Sequence, residues 1–221
     1  MVIDMKIQEL VNELIQYCLD NKYNKVYICG NGGSGKTTLS YEISKQAQYY
    51  GKVNIISCDD FLVDTNLRKN SIVNWKENGN EYSYRYTSSN FESYFFKNMY
   101  ELIYNIDNGV DCFYFPKQYK ENNNIRKLYT NYFLTIIEWV WTAFLEKEDK
   151  SLKVFLKCST EDEIKRRQER FNRFKDNSIR LYDLKRDSLY RTNVLIHEND
   201  FDLSIISNDG FSYEIVKNIL S

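Results

Sequence analysis

The sequence predicts an α/β fold three layers deep, with a mostly parallel sheet and helices on both faces. Short apolar runs of strand length alternate along the chain with longer segments of helical period. Most of these runs lack polar alternation, as strands buried on both faces do. A glycine-rich segment joins one such run directly to a helical one, in the manner of strand–helix–strand units with parallel strands.

Taken in order, Ile3, Ile7, Leu10, Val11, Leu14, Ile15 and Cys18 recur at helical spacing, so residues 1–20 are expected as one amphipathic helix. Lys25–Cys29 reads as a buried strand that ends in glycines. Helical period returns from Lys36 to about Tyr50, with Gly51 placed to end it. Val53–Ser57 is a second buried strand, and residues 61–90 are polar and aromatic with no clear period. Asn90 is expected to cap a helix running to Asn105. Asp111–Phe115 and Ile125–Tyr129 flank the polar KQYKENNN stretch as a hairpin would. Tyr132–Ile137 and Leu152–Leu156 read as strands with a helix between them. Helices at Thr160–Lys175 and Tyr182–Asn193, a strand at Leu203–Ser207 and a helix at Tyr213–Leu220 complete the chain. Nothing divides its 221 residues, so a single domain over 1–221 is expected.

Composition bounds the function. Apolar residues make up 43 % and charged residues 28 %, the balance of a globular chain. A net charge of −1 offers no basic excess for a nucleic acid. The apolar run at 132–145 is broken by Thr135, Glu138 and Thr142, so no membrane span is expected. The five cysteines are scattered without C-x-x-C pairs, which suits free thiols and a cytoplasmic location. Oligomeric state is not legible.

The segment Gly30-Asn31-Gly32-Gly33-Ser34-Gly35-Lys36-Thr37, followed by Thr38, fits G-x-x-x-x-G-K-[ST] between a strand and a helix. Small residues let backbone N–H groups turn inward around phosphate oxygens, and the helix N-terminus adds free donors. Lys36 is expected on the β- and γ-phosphates of ATP, and the Thr37 hydroxyl on Mg²⁺. Asp59 ends the second strand, where parallel sheets open their ligand crevice, and could take a proton or hold Mg²⁺ through water.

Strand, G-x-x-x-x-G-K-T-T, helix, strand and then Asp59-Asp60-Phe61 resembles the small-molecule kinases typified by uridine kinase, nicotinamide riboside kinase and pantothenate kinase. The resemblance implies ATP-dependent phosphorylation of a hydroxyl on a small metabolite. It makes Asp59 the base and sets Glu138, at the end of Thr135-Ile136-Ile137-Glu138, near Mg²⁺. Trp139 stands where that family carries glycine. Arg166, Arg170 and Arg173 share one helical face, and the resemblance makes them a lid, over about 160–180, on the transferred phosphate. It also puts an acceptor lobe within about 61–131, with Tyr84, Arg85 and Tyr114 as acceptor contacts, and a closing strand and helix. Two alternatives stay open: an ATPase or nucleotide switch, and a nucleotide-binding protein without an acceptor. The chain carries no N-K-x-D, and apart from the second strand, with its Asp59, no apolar strand ends in Asp as a motor ATPase would require.

Overall fold

The computed structural model describes residues 3–116, 125–146, 148–159, 162–163, 165–166, 178–208 and 212–217. Seven strands form the main sheet: β1 (Ile3–Lys6), β2 (Lys25–Cys29), β3 (Val53–Ser57), β8 (Leu134–Glu138), β9 (Ser151–Cys158), β10 (Leu203–Asn208) and β11 (Ser212–Lys217). Their order is β1-β11-β10-β9-β2-β8-β3. The run from β10 to β3 is parallel, while β11 and β1 add antiparallel strands at one edge.

Strand pleating divides the core into two layers. On β2, Val26 and Ile28 join one apolar cluster, and Tyr27 and Cys29 the other. The first cluster is closed by α1 (Ile7–Asp20) and α2 (Lys36–Ala47), through Leu10, Val11, Leu14, Leu39 and Ile43. The second is closed by α4 (Phe96–Asp107), through Met99, Ile103 and Ile106. Helices therefore cover both faces. Lys25 fixes the end of β2 away from the glycine loop: its buried ammonium meets Asp107 at 2.6 Å and also pairs with Glu148.

Outside the sheet lie α3 (Thr65–Lys69), the hairpin of β4 (Ile72–Glu77) and β5 (Asn80–Arg85), the pair β6 (Cys112–Tyr114) and β7 (Arg126–Leu128), and α5 (Ser178–Asn193). All five cysteines are free, four of them buried. Among the described residues no helix is long and apolar enough to cross a membrane.

Several expectations need correction. The first helix begins only at Ile7, because Ile3–Lys6 pairs with Ser212–Ile215 as a strand. Tyr213–Lys217 belongs to a strand and not to a helix: Tyr213 and Ile215 are buried while Glu214 is partly exposed and Val216 exposed, a period of two. Residues 61–90 hold α3 and the β4–β5 hairpin, whose turn has Asn78 at φ 50° and Gly79 at φ 80°. That Asn-Gly pair is the signal for such a hairpin. Asn90 precedes only a 3₁₀ turn at Phe91–Ser93; its side-chain Oδ1 accepts from the Thr87 N–H at 3.0 Å, and α4 starts at Phe96. Between β8 and β9 the described residues hold only a 3₁₀ turn at Thr142–Phe144, since Trp139, Trp141 and Leu145 are drawn into the core. The β6–β7 pairing matches the hairpin expected around Lys117–Asn124, itself outside the described residues. Of the helix expected at Thr160–Lys175, residues 162–163 and 165–166 are helical and the rest lies outside them.

Candidate active site

The glycine loop leaves β2 in a conformation its sequence requires. Gly30, Gly33 and Gly35 have φ of 151°, 94° and 98°, a region that residues with a Cβ rarely adopt. At Gly30 space is decisive too, since a Cβ there would lie 2.2 Å from the Leu156 carbonyl oxygen. Lys36 Nζ donates to the Asn31 carbonyl at 2.9 Å, and the Gly32 N–H donates to Asn31 Oδ1 at 2.8 Å. The Ser34 hydroxyl is buried with no hydrogen-bond partner among the described residues. Thr38 stands exposed on the first turn of α2. A curled loop with a lysine, an orphaned hydroxyl and a helix N-terminus fits a polyphosphate.

Beside the loop, one carboxylate ties three elements together. Glu138, at the end of β8, accepts from Ser57 Oγ of β3 at 2.9 Å and from Thr37 Oγ1 of α2 at 3.1 Å. Burial raises its pKa above the usual carboxylate value, and the nearby Lys36 ammonium pulls the other way. A buried carboxylate and a hydroxyl converging beside a phosphate loop are hard oxygen donors of the kind Mg²⁺ takes.

Asp59 and Asp60 lie in a 3₁₀ turn at Cys58–Phe61, not on the strand, and they differ sharply. Asp59 is exposed and lines the cavity beside the loop, with the Tyr94 hydroxyl 3.2 Å from its Oδ1. Asp60 turns away, its side chain 4 % exposed, accepting from the Tyr114 hydroxyl at 3.2 Å and facing Arg126 at 3.9 Å.

No protein-family model and no curated protein matches the chain. Solved structures do. D-glycerate 3-kinase from Cryptococcus neoformans var. grubii superposes with a TM-score of 0.56 at 9 % identity, covering 91 % of this chain and 95 % of that one. The YGR205w protein does so at 0.54 and 13 %, covering 96 % and 100 %. A candidate fructose transport system kinase from Silicibacter sp. TM1040 gives 0.51 and 17 %, covering 88 % and 93 %. The chain has the fold of the P-loop kinases.

In this P-loop kinase fold the cavity beside the loop measures about 190 Å³. Lys36, Asp59 and Glu138 line it together with Tyr94, Trp139, Trp141 and Tyr190. Of the residues expected to act, Gly32, Asn31, Lys36, Asp59 and Glu138 thus come together, with Thr37 bonded to Glu138. Arg166 joins them, donating to the Gly33 carbonyl at 2.9 Å and to Ser207 Oγ at 3.4 Å. Arg170 lies outside the described residues, as does most of the expected lid. Tyr84, Arg85 and Tyr114 do not line the cavity; Tyr114 is buried behind Asp60, and the Arg85 carbonyl accepts from Lys185 at 3.1 Å.

Arg186, Glu163 and the aromatic walls carried no sequence signal. Glu163 Oε1 accepts from Asn31 Nδ2 and from Arg186 Nη2, both at 2.7 Å, so the loop, the 162–166 segment and α5 meet at one carboxylate. Arg186 lies in a run of charges, and only tertiary packing brings it within 3.5 Å of where a Gly32 Cβ would stand. The Trp-Val-Trp run after Glu138 is visible in the sequence, but its side of the sheet is not.

Proposed function

We propose that the chain is an ATP-dependent phosphotransferase acting on a hydroxyl of a small metabolite. One observation carries this reading: Asp59 faces the cavity that also exposes Lys36 and Glu138, while Glu138 bonds Thr37. Phosphate holder, metal site and proton acceptor therefore converge on one space large enough for a small molecule.

In this reading Lys36 and the loop N–H groups hold the β- and γ-phosphates of ATP. Thr37 and Glu138 hold Mg²⁺, which when bound neutralises charge on the triphosphate. Asp59 orients the acceptor hydroxyl and receives its proton as the new O–P bond forms. The bond from the γ-phosphorus to the bridging oxygen breaks, and ADP leaves. Arg166, held against Gly33, lies close enough to steady the loop. Catalysis here is mostly positioning and charge compensation.

The test is ADP formation by the purified chain with Mg²⁺ across a panel of hydroxylated metabolites. Turnover should require an acceptor and should collapse in Lys36→Ala, which retains its circular dichroism spectrum. Inorganic phosphate released at the same rate without any acceptor would replace this reading with an ATPase or switch.

A further inference from the structure

Helix α5 meets two partners on opposite sides. At about 100° per residue, Arg186 and Tyr190 share one side, and Lys185, Ser188 and Arg191 the other. Arg186 and Tyr190 line the cavity beside the glycine loop. Arg186 also holds Glu163 at 2.7 Å, and Glu163 holds Asn31 of the loop at 2.7 Å. The opposite side packs on the β4–β5 hairpin. Lys185 donates to the Arg85 carbonyl at 3.1 Å, and its ammonium lies 5.7 Å from the centre of the Trp75 ring and 5.5 Å from that of Tyr86. Tyr82 stacks on Trp75 from within the hairpin. Arg191 pairs with Glu77 at 2.7 Å, and hydrogen bonds from Ser188 and Arg191 hold the Glu77 carboxyl below its usual pKa.

Lys185 lowers stability where it stands. It is 1 % exposed, and burial brings its pKa down to about 8 against a smaller favourable pull from Glu92. A methionine of similar length would fill the same space without that desolvation. What the ammonium adds is direction. A hydrogen bond to one carbonyl fixes the rotation of α5 and its position along its axis, which apolar contact alone leaves free to slide. Arg186 is the next residue, so a rotation of α5 that displaces Lys185 carries Arg186 with it.

Given the reading above, with the glycine loop as the nucleotide site, we propose that Lys185 is a positioning residue: it locks α5 to the β4–β5 hairpin in the register that delivers Arg186 to Glu163 and the loop. The hairpin then braces the phosphate loop from behind α5, without touching a ligand.

A double-mutant cycle on the intact chain tests this, with MgADP affinity by calorimetry and urea unfolding as paired readouts at pH 7. Lys185→Met should weaken MgADP by about fivefold or more, yet unfold at the same urea concentration as wild type or a higher one. Arg186→Met should weaken MgADP by about as much, and adding Lys185→Met to it should change affinity by less than about twofold, because Lys185 acts through that side chain. Glu77→Gln, at the rim of the same contact, decides the matter if the buried substitution does not fold: it should weaken MgADP by about twofold alone and not at all beside Arg186→Met. Unchanged affinity in the single variants, losses that multiply in the double variant, or a loss of affinity that follows a loss of stability overturns the proposal. A wild-type chain that binds no MgADP overturns both the proposal and the nucleotide site. Failure of the phosphotransferase reading alone looks different: ATP is hydrolysed without any acceptor while the MgADP cycle keeps its expected pattern.

Discussion

Replacing Gly30 by alanine should damage the fold itself more than any other single-methyl change in the glycine loop. The new Cβ would stand 2.2 Å from the Leu156 carbonyl oxygen and 2.7 Å from Ser34 Oγ. Ordinary carbon–oxygen contacts begin near 3.3 Å, so the backbone must open by about 1 Å. Leu156 cannot yield alone, because β9 is held between β2 and β10 by parallel ladders. Overpacking of this kind costs about 1–3 kcal/mol, and a Cβ at φ 151° adds about 1–2 kcal/mol of backbone strain. At about 2–4 °C per kcal/mol for a chain of this size, the melting temperature should fall by about 10 °C. Gly32→Ala is the control: its Cβ would lie 3.5 Å from Arg186 Nη1, an ordinary contact, so melting should change by no more than about 2 °C while ATP affinity drops. Thermal melts of both variants, followed by circular dichroism, decide it. A Gly30→Ala protein that melts within 2 °C of wild type would refute the close approach between loop and β9.

Asp59→Asn should leave nucleotide affinity nearly unchanged and lower turnover about 10²–10⁴-fold, as paired binding and rate measurements would read. Asp60→Asn is expected to act through stability instead, because it weakens a buried contact to Tyr114 and Arg126; a lower melting temperature with intact turnover per folded molecule checks it. Burial holds the Glu138 pKa above the usual 4.5, so the folded chain binds that proton more tightly than the unfolded one. Its contribution to stability therefore falls as pH rises upward from about 4.5, and Glu138→Gln should melt higher than wild type at neutral pH without Mg²⁺, yet lose Mg²⁺-dependent turnover. Lys185 shows the opposite slope: desolvation lowers its pKa to about 8 from 10.5, the unfolded chain binds the proton more tightly, and stability rises across that interval. Urea titrations at pH 8 and pH 10 should show the rise in wild type and not in Lys185→Met, a difference on the order of 2 kcal/mol.

The stretch from Lys25 to Ser57 was legible because its signals are local: an apolar run, glycines at fixed offsets and a helical period lie within a few residues of one another. Asp59 was legible for a topological reason, since ends of parallel strands share one edge of the sheet, whereas Glu138 was reached only through the family resemblance. Tyr213 and Ile215 were misread because five or six residues can carry either period, and the partner that settles it, Ile3–Lys6, lies at the far end of the chain. The β4–β5 hairpin had its Asn78-Gly79 signal, hidden by flanking strands that are largely exposed and so show no apolar run. The aromatic wall was illegible for a different reason: with 19 Tyr and 13 Phe in the chain, only packing distinguishes Tyr94 from its many equivalents.

Asp59 and Asp60 divide their labour across one peptide unit. The second carboxylate is anchored to Tyr114 and Arg126, on the β6–β7 pair, while the first waits in the cavity. Through these contacts a displacement of β6–β7 is expected to move Asp60 and, one peptide unit away in the same 3₁₀ turn, Asp59. Mutations in β6–β7 far from any ligand are then expected to alter turnover by mis-aiming one oxygen atom, leaving the grip on nucleotide untouched.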